Sequence, residues 1–318
     1  MKKAISICAS MFLGLIIWTS PVYAGGKILF VDSYHEGYPW SDGITNGIQS
    51  VLKGTNVEFK IFRMDTKRKT SKNFKRKAGM EAKMLIKSFE PDAVIASDDN
   101  ASKYLIKPFF KDAELPFIFC GVNWDASMYG FPYKNVTGMV EVSSIPELIA
   151  YLKRFAKGNS IAYLAADVTT ARKDGQYYQK LFHLEIDEYY AKTFPEWVTA
   201  YKDIQSEHNI LIIGNNAGIN DWNEVEVKRV IMAETKIPSG TPHNHMDKYS
   251  LIGYTKVPEE QGQWAAETAL RVLKGTDIST IPIVSNTQGN ITIHQGIAKT
   301  MGITIPEEII QSANKIIE

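Results

Sequence analysis

Short apolar runs alternate with longer stretches whose apolar residues recur at helical spacing, and this rhythm governs most of the chain. Residues 27–31 (KILFV) read as a strand bounded by Gly26 and Asp32. From 40 to 52, Ile44, Ile48, Val51 and Leu52 fall on one helical face, with Ser41 placed to cap its start. A strand is expected at 57–62, a helix at 74–89, a buried strand at 92–96, a helix at 101–110 and a strand at 116–120. Past Gly121 the rhythm breaks. Residues 123–135 carry Gly130 and Pro132 and no period, and 136–140 then reads as a strand. Alternation resumes with helices at 145–155, 170–185, 196–206, 222–234 and 259–274. The strands between them are expected at 160–165, near 190–194, at 209–213, near 251–254 and at 291–294.

Strands in regular alternation with helices imply parallel sheets covered on both faces. The two runs are of similar size and have no fixed repeat, so the pattern predicts two doubly wound α/β lobes with a cleft between them rather than a solenoid. Ligands in such sheets sit beyond the carboxyl ends of strands. Those ends read Ser33-Tyr34-His35, Ser97-Asp98-Asp99-Asn100, Gly121-Val122-Asn123-Trp124, Ala166-Asp167 and Gly214-Asn215-Asn216, all rich in hydrogen-bonding groups.

The first residues predict processing. Lys2 and Lys3 precede an apolar run from Ala4 to Trp18, and Val22-Tyr23-Ala24 fits a small-x-small cleavage pattern. That run is shorter than the roughly 20 residues a membrane span needs, and no later stretch is long and apolar enough. A cleaved export signal over 1–24 and a periplasmic chain without membrane insertion are therefore expected, with an uncleaved anchor as the competing reading of the same residues. Losing Lys2 and Lys3 turns the formal charge of +1 into −1, which gives no global field for nucleic acid. Only Cys120 remains after cleavage, so a packed core rather than a disulfide must hold the fold; Cys120 follows Phe117-Ile118-Phe119 and reads as a small buried hydrophobe.

Candidate chemistry is that of binding. Tyr34, Tyr38 and Trp40 sit in a connection where Gly37 and Pro39 mark a turn, so rings there either close a core end or stack on a ligand. Asp98 and Asp99 stand between a strand and a helix. They either cap the helix or accept from a ligand ammonium or hydroxyl. His243-Asn244-His245 lacks a third metal ligand nearby and reads as a loop at a cleft rim. No nucleophile elbow, dinucleotide fingerprint or phosphate-binding loop occurs, so neither enzyme activity nor a cofactor is expected. The cationic run of Lys67, Arg68, Lys69, Lys72, Lys75, Arg76 and Lys77 is either a solvated helix start or a docking surface.

Taken in order, Ser33-Tyr34-His35, Leu115 to Val122, Asn135-Val136-Thr137-Gly138, Glu260-Gln261-Gly262, Leu273-Lys274-Gly275 and Gly302 to Pro306 resemble the substrate-binding proteins of ABC transporters. The likeness is to the branch related to tryptophan- and tyrosine-binding components. It implies a type I periplasmic-binding fold, a small ligand (amino acid or sugar-like) held between the lobes, delivery to an ABC permease, and no covalent chemistry. Similar domains also serve as extracytoplasmic sensors of histidine kinases, a second reading of the same cleft. The resemblance implies a pocket drawn from Ser33, Tyr34, Ser97, Asp98 and Asn123 of the first lobe and Glu141, Asp167, Asn215 and Asn244 of the second. Tyr38, Trp40, Asp99 and Trp124 join them from the residue reading. A monomer is expected. Lobe 1 is expected over 25–121 plus about 255–281, lobe 2 over about 136–252 plus about 290–318, with crossings near 122–140, 252–257 and 281–291.

Overall fold

The computed structural model describes residues 25–318; the expected signal and its cleavage site lie outside them. The first sheet holds β1 (Lys27–Asp32), β2 (Glu58–Arg63), β3 (Ala93–Ser97), β4 (Phe117–Asn123), β5 (Val136–Glu141) and, arriving late in the chain, β11 (Val284–Ser285). Their order is β11-β5-β4-β3-β1-β2, and every pairing is parallel. Central strands β3 and β4 are buried on both faces, which is why they read as continuous apolar runs. Helix α1 (Pro39–Leu52) covers one face, and α2 (Lys72–Phe89) the other. Beside α2 runs a helical stretch made of α3 (Asp98–Ala101), a π-turn over Ser102–Ile106 and α4 (Lys107–Phe109).

The second sheet holds β6 (Ile161–Ala166), β7 (Asp187–Ala191), β8 (Ile210–Ile213), β9 (Ser239–Thr241), β10 (Ile252–Lys256), β12 (Gly289–His294) and β13 (Lys315–Ile317), in the order β13-β12-β10-β9-β8-β6-β7. One pair, β10 with β12, is antiparallel, because β12 enters from the other lobe. Around it pack α5 (Ile145–Lys153), α6 (Thr169–Phe182), α7 (Phe194–Glu207) and α8 (Glu224–Glu234), with α10 (Gln295–Thr300) and α11 (Glu307–Ser312) at the end. Helix α9 (Pro258–Leu273) belongs to the first lobe. It lies so close on α1 that a β-carbon on Gly47 would stand 2.2 Å from the Glu259 carbonyl oxygen, and one on Gly262 2.0 Å from that of Ile44.

Two features correct the sequence reading. The strand from Val136, expected to open lobe 2, pairs with β4 in the first sheet, Phe117 opposite Val136. The chain therefore first leaves lobe 1 at 142–144, not at 122–140. It returns at 257 and leaves again at 286–288. The first and third passages are tied: Asn286 accepts from the Val142 amide at 2.8 Å and donates to its carbonyl at 3.0 Å. Ser41 is not the cap of α1. Pro39 opens the helix with Tyr38 at the cap position, and the Ser41 hydroxyl donates to Asp32 at 2.9 Å.

Candidate functional site

The parallel registers bring the polar ends of β1 to β4 side by side: Asp32 pairs with both Arg63 and Ser97, and Ser97 with Cys120. Asp32 is fully buried and fully served. It takes the Arg63 guanidinium, the hydroxyls of Ser41 and Ser97, and the Tyr34 amide. Ser33 donates to the Ser97 carbonyl at 2.5 Å and accepts from the Ala101 amide at 2.8 Å. Ser33 and Ser97, expected to touch a ligand, are completely buried in this web and fix the strand tips instead.

Asp98 stands on that platform in a different state. Its φ of +66° lies in the left-handed region, which few residues other than glycine adopt, aspartate and asparagine among them. Ser97 occupies the cap position of α3 and no side chain caps that end, so Asp98 is not held there as a cap. Its Oδ2 is buried without a hydrogen-bond partner among the described residues. Burial above all, then Glu141, Asp32 and Asp99, pushes its carboxyl well above the usual carboxylate range. Gly121, at φ +67°, passes beneath. A β-carbon there would lie 3.3 Å from Asp98 Oδ1 and 3.4 Å from Trp40 Nε1, so the two groups converge over a residue whose positive φ favours glycine. Trp40 Nε1 is also buried without a partner among the described residues. One unsatisfied acceptor and one unsatisfied donor thus share a patch, each costly unless something fills it.

Rings roof the patch. Tyr34 meets Tyr38 edge-on at 5.1 Å, and burial together with Asp98 and Asp99 raises its hydroxyl far above the ordinary tyrosine range. Lys67 Nζ sits 5.1 Å and 5.0 Å from the two ring centres. Asp99 accepts from Asn123 at 3.1 Å and from Tyr129 at 2.6 Å, which holds both side chains at the tip of β4.

The second lobe closes the space from the other side. A cavity of about 390 Å³ is lined by Tyr38, Trp40 and Glu141 from lobe 1, by His243, Asn244 and His245 from lobe 2, and by Lys256 at the second passage. Lys256 is ion-paired with Glu141, and its ammonium lies 5.6 Å from the Trp40 ring centre. His243 Nε2 is buried and unpartnered among the described residues, and burial, then Lys256, push this imidazole down to about 3, so it is neutral at pH 7. A larger cavity of about 710 Å³, against α1 and edge strand β2, has no unpartnered buried polar atom on its lining among the described residues. The smaller one has two, on Trp40 and His243, and is the better candidate for a ligand.

The family described as ABC transporter substrate binding protein matches residues 37–317. This chain belongs to that family. Its fold is similar to the ligand-free, open structure of CD0873, a substrate-binding protein from Clostridium difficile (15% identity, 92% of this chain and 99% of that one, TM-score 0.71). It is also similar to an ABC domain in complex with L-Trp from Streptococcus pneumonia (17% identity, 92% and 100%, TM-score 0.55). A periplasmic ribose ABC transporter protein from Conexibacter woesei shares the fold too (16% identity, 90% and 98%, TM-score 0.54). No curated protein sequence matches. The two lobes are those of the type I periplasmic-binding fold.

In this substrate-binding protein the remaining expected residues divide. Asn244 lines the cavity. Asp167 is held within lobe 2 by Arg172 at 2.6 Å and Lys192 at 3.9 Å. Asn215 accepts from the Ala217 amide at 2.7 Å, with His245 Nε2 3.3 Å away. Trp124 turns out of the cavity. It stacks on Tyr177 of α6 at 5.2 Å and 12°, and its Nε1 donates to Asp174 at 3.1 Å. Lys256 and Asp174 escaped sequence reading. Lys256 stands 115 positions from its partner Glu141, and Asp174 is one polar residue in an amphipathic helix, so neither left a local signal.

Asp174 yields a pH prediction. Burial raises its carboxyl to about 6 against the lowering effect of Lys256 and the Trp124 hydrogen bond. The folded chain holds this proton more tightly than the unfolded one, so the group costs stability above about pH 6, and that cost fades as pH falls from 6 toward 4. Asp174→Asn keeps an acceptor for Trp124 and removes the charge. It is expected to raise the melting temperature at pH 7.5 by about 4 °C, on the order of 2 kcal/mol, and to bring the two proteins together at pH 4. Parallel melting curves at both pH values would contradict this reading.

Proposed function

We propose that this chain is an exported carrier that traps an amino acid between its lobes and hands it to an ABC permease, without chemistry of its own. The observation that carries this is two buried atoms without a hydrogen-bond partner among the described residues, the acceptor Asp98 Oδ2 and the donor Trp40 Nε1, on side chains that converge over Gly121. A ligand ammonium suits the first and a ligand carboxylate the second; a zwitterion brings both. Burying Asp98 unpaired is costly in the empty protein, and an arriving cation relieves that cost. The rings of Tyr34, Tyr38 and Trp40 offer flat surface beside the polar pair. The cavity volume is within the range of small-molecule sites, roughly 300–1,000 Å³. Family membership supports the carrier role, and the L-Trp complex in a similar fold supports the ligand class.

Ligand contacts made in both lobes favour the closed arrangement by their differential energy, which is how capture becomes a signal to a permease. The test is a thermal-shift screen of the twenty amino acids, common sugars and nucleosides, followed by calorimetry of each hit. At least one L-amino acid is expected to bind with a Kd near or below about 1 µM, or −8 kcal/mol. At 1 mM it would stabilise the fold by about 4 kcal/mol. Tight binding of a neutral sugar with no amino acid hit would refute the proposal.

A further inference from the structure

Outside the cleft, lobe 1 carries a groove whose chemistry the carrier function has not used. It runs between α2 and the helical stretch 102–109 and encloses about 620 Å³. Met80, Pro108 and Phe109 give it an apolar floor; Lys72, Arg76, Lys103 and Lys107 stand around it. Met80 is 46% exposed, and Met84, one turn further along α2, is 61% exposed. The groove exists because α2 and the π-turn cross at close range: a β-carbon on Gly79 would lie 2.2 Å from the Tyr104 carbonyl oxygen. Single π-turns within helices are uncommon and recur at functional positions.

The charge around this groove is concentrated. Between 67 and 87 the chain has nine lysines and arginines against one carboxylate, Glu81; Lys72 and Arg76 of that run line the groove, whereas Arg68 and Lys69 pair with Asp65. Glu81 pairs with Lys77, outside the groove lining. None of the four lining cations is in an ion pair among the described residues. Lys107 donates to the Met128 carbonyl instead. A merely solvated helix face would have its carboxylates interspersed and no concave apolar floor.

We infer that this groove docks an acidic protein segment that carries an apolar side chain. Charge complementarity selects an anionic partner, and the concave floor selects a side chain over a flat surface such as a bilayer. Exposed methionines suit the contact, because an unbranched thioether adapts to irregular partners. The inference is independent of the ligand proposed for the cleft, since no groove residue lines that cavity.

The test is fluorescence anisotropy with a labelled octapeptide, Glu-Asp-Leu-Glu-Glu-Phe-Asp-Glu, added to the full mature chain. Binding is expected in the range of tens of micromolar at low salt and at least tenfold weaker at 0.5 M salt. The double variant R76E/K103E, both positions exposed, should lose at least tenfold in affinity while keeping its circular dichroism and its cleft ligand. A peptide with serine in place of Leu and Phe should bind at least fivefold more weakly. Three results would overturn the inference. The first is no peptide binding; the second is equal binding to R76E/K103E or by the serine peptide. The third is sedimentation with phosphatidylglycerol vesicles through the same cations without peptide binding, which would make this a membrane patch.

Discussion

Asp98→Asn is expected to weaken ligand binding at least 100-fold while leaving the melting temperature unchanged or higher. Asparagine keeps the shape, and it is among the few residues that tolerate the left-handed backbone found at this position. The substitution therefore isolates charge; alanine would add backbone strain. Losing one partner of a buried, charged hydrogen bond costs about 2–5 kcal/mol of binding, and each 1.4 kcal/mol is tenfold. The free protein gains, because the amide has no ionised form to bury. The wild-type carboxyl, lifted by burial, should also give up a proton when an ammonium arrives. Calorimetry in buffers of different ionisation enthalpy would then show proton release by the wild type and not by the variant. Affinity within threefold of wild type would remove Asp98 from the site.

Trp124→Ala is expected to be the most destabilising single change near the cleft, costing about 3–5 kcal/mol and lowering the melting temperature by roughly 8–12 °C. Trp124 follows directly on β4 of lobe 1, yet it is 8% exposed within the core of lobe 2, against Tyr177 and Tyr178. It is a bolt between lobes rather than a ligand platform. Its removal opens a cavity in lobe 2 and also leaves the buried Asp174 carboxyl without its donor. Trp124→Phe should restore roughly half of the loss, because the stacking returns but the hydrogen bond does not. A loss under 1 kcal/mol for the alanine variant, measured by urea denaturation, would contradict this placement.

The lobes were legible because parallel strands bury both faces. β3 and β4 carry unbroken apolar runs for that reason, and the helices between them keep their period. Strands β9, β11 and β13, of two or three residues, leave no period to read. The first passage between lobes was misplaced because 123–135 looks like a linker. In fact Tyr129, Phe131 and Tyr133 pack back into the core of lobe 1 and steer Val136 onto β4. Glycine, proline and missing periodicity announce irregular backbone, but not which lobe it packs on.

The site was partly legible for a related reason. Of the residues read from the sequence, Tyr38, Trp40 and Glu141 line the candidate cavity, and Asp98 meets Trp40 over Gly121. What sequence could not rank was satisfaction. Ser33, Ser97 and Asp98 look alike as polar tips, yet the two serines spend their hydroxyls on neighbouring strands while Asp98 keeps an idle oxygen. That distinction depends on register between strands more than 60 positions apart.

The most direct measurement is a crystal structure of residues 25–318 grown with the tightest amino acid hit. The account predicts density between the lobes with the ammonium within hydrogen-bond reach of Asp98 Oδ2 and the carboxylate facing Trp40 Nε1. A ligand seated elsewhere, or one that leaves both of those atoms unpartnered, would contradict it.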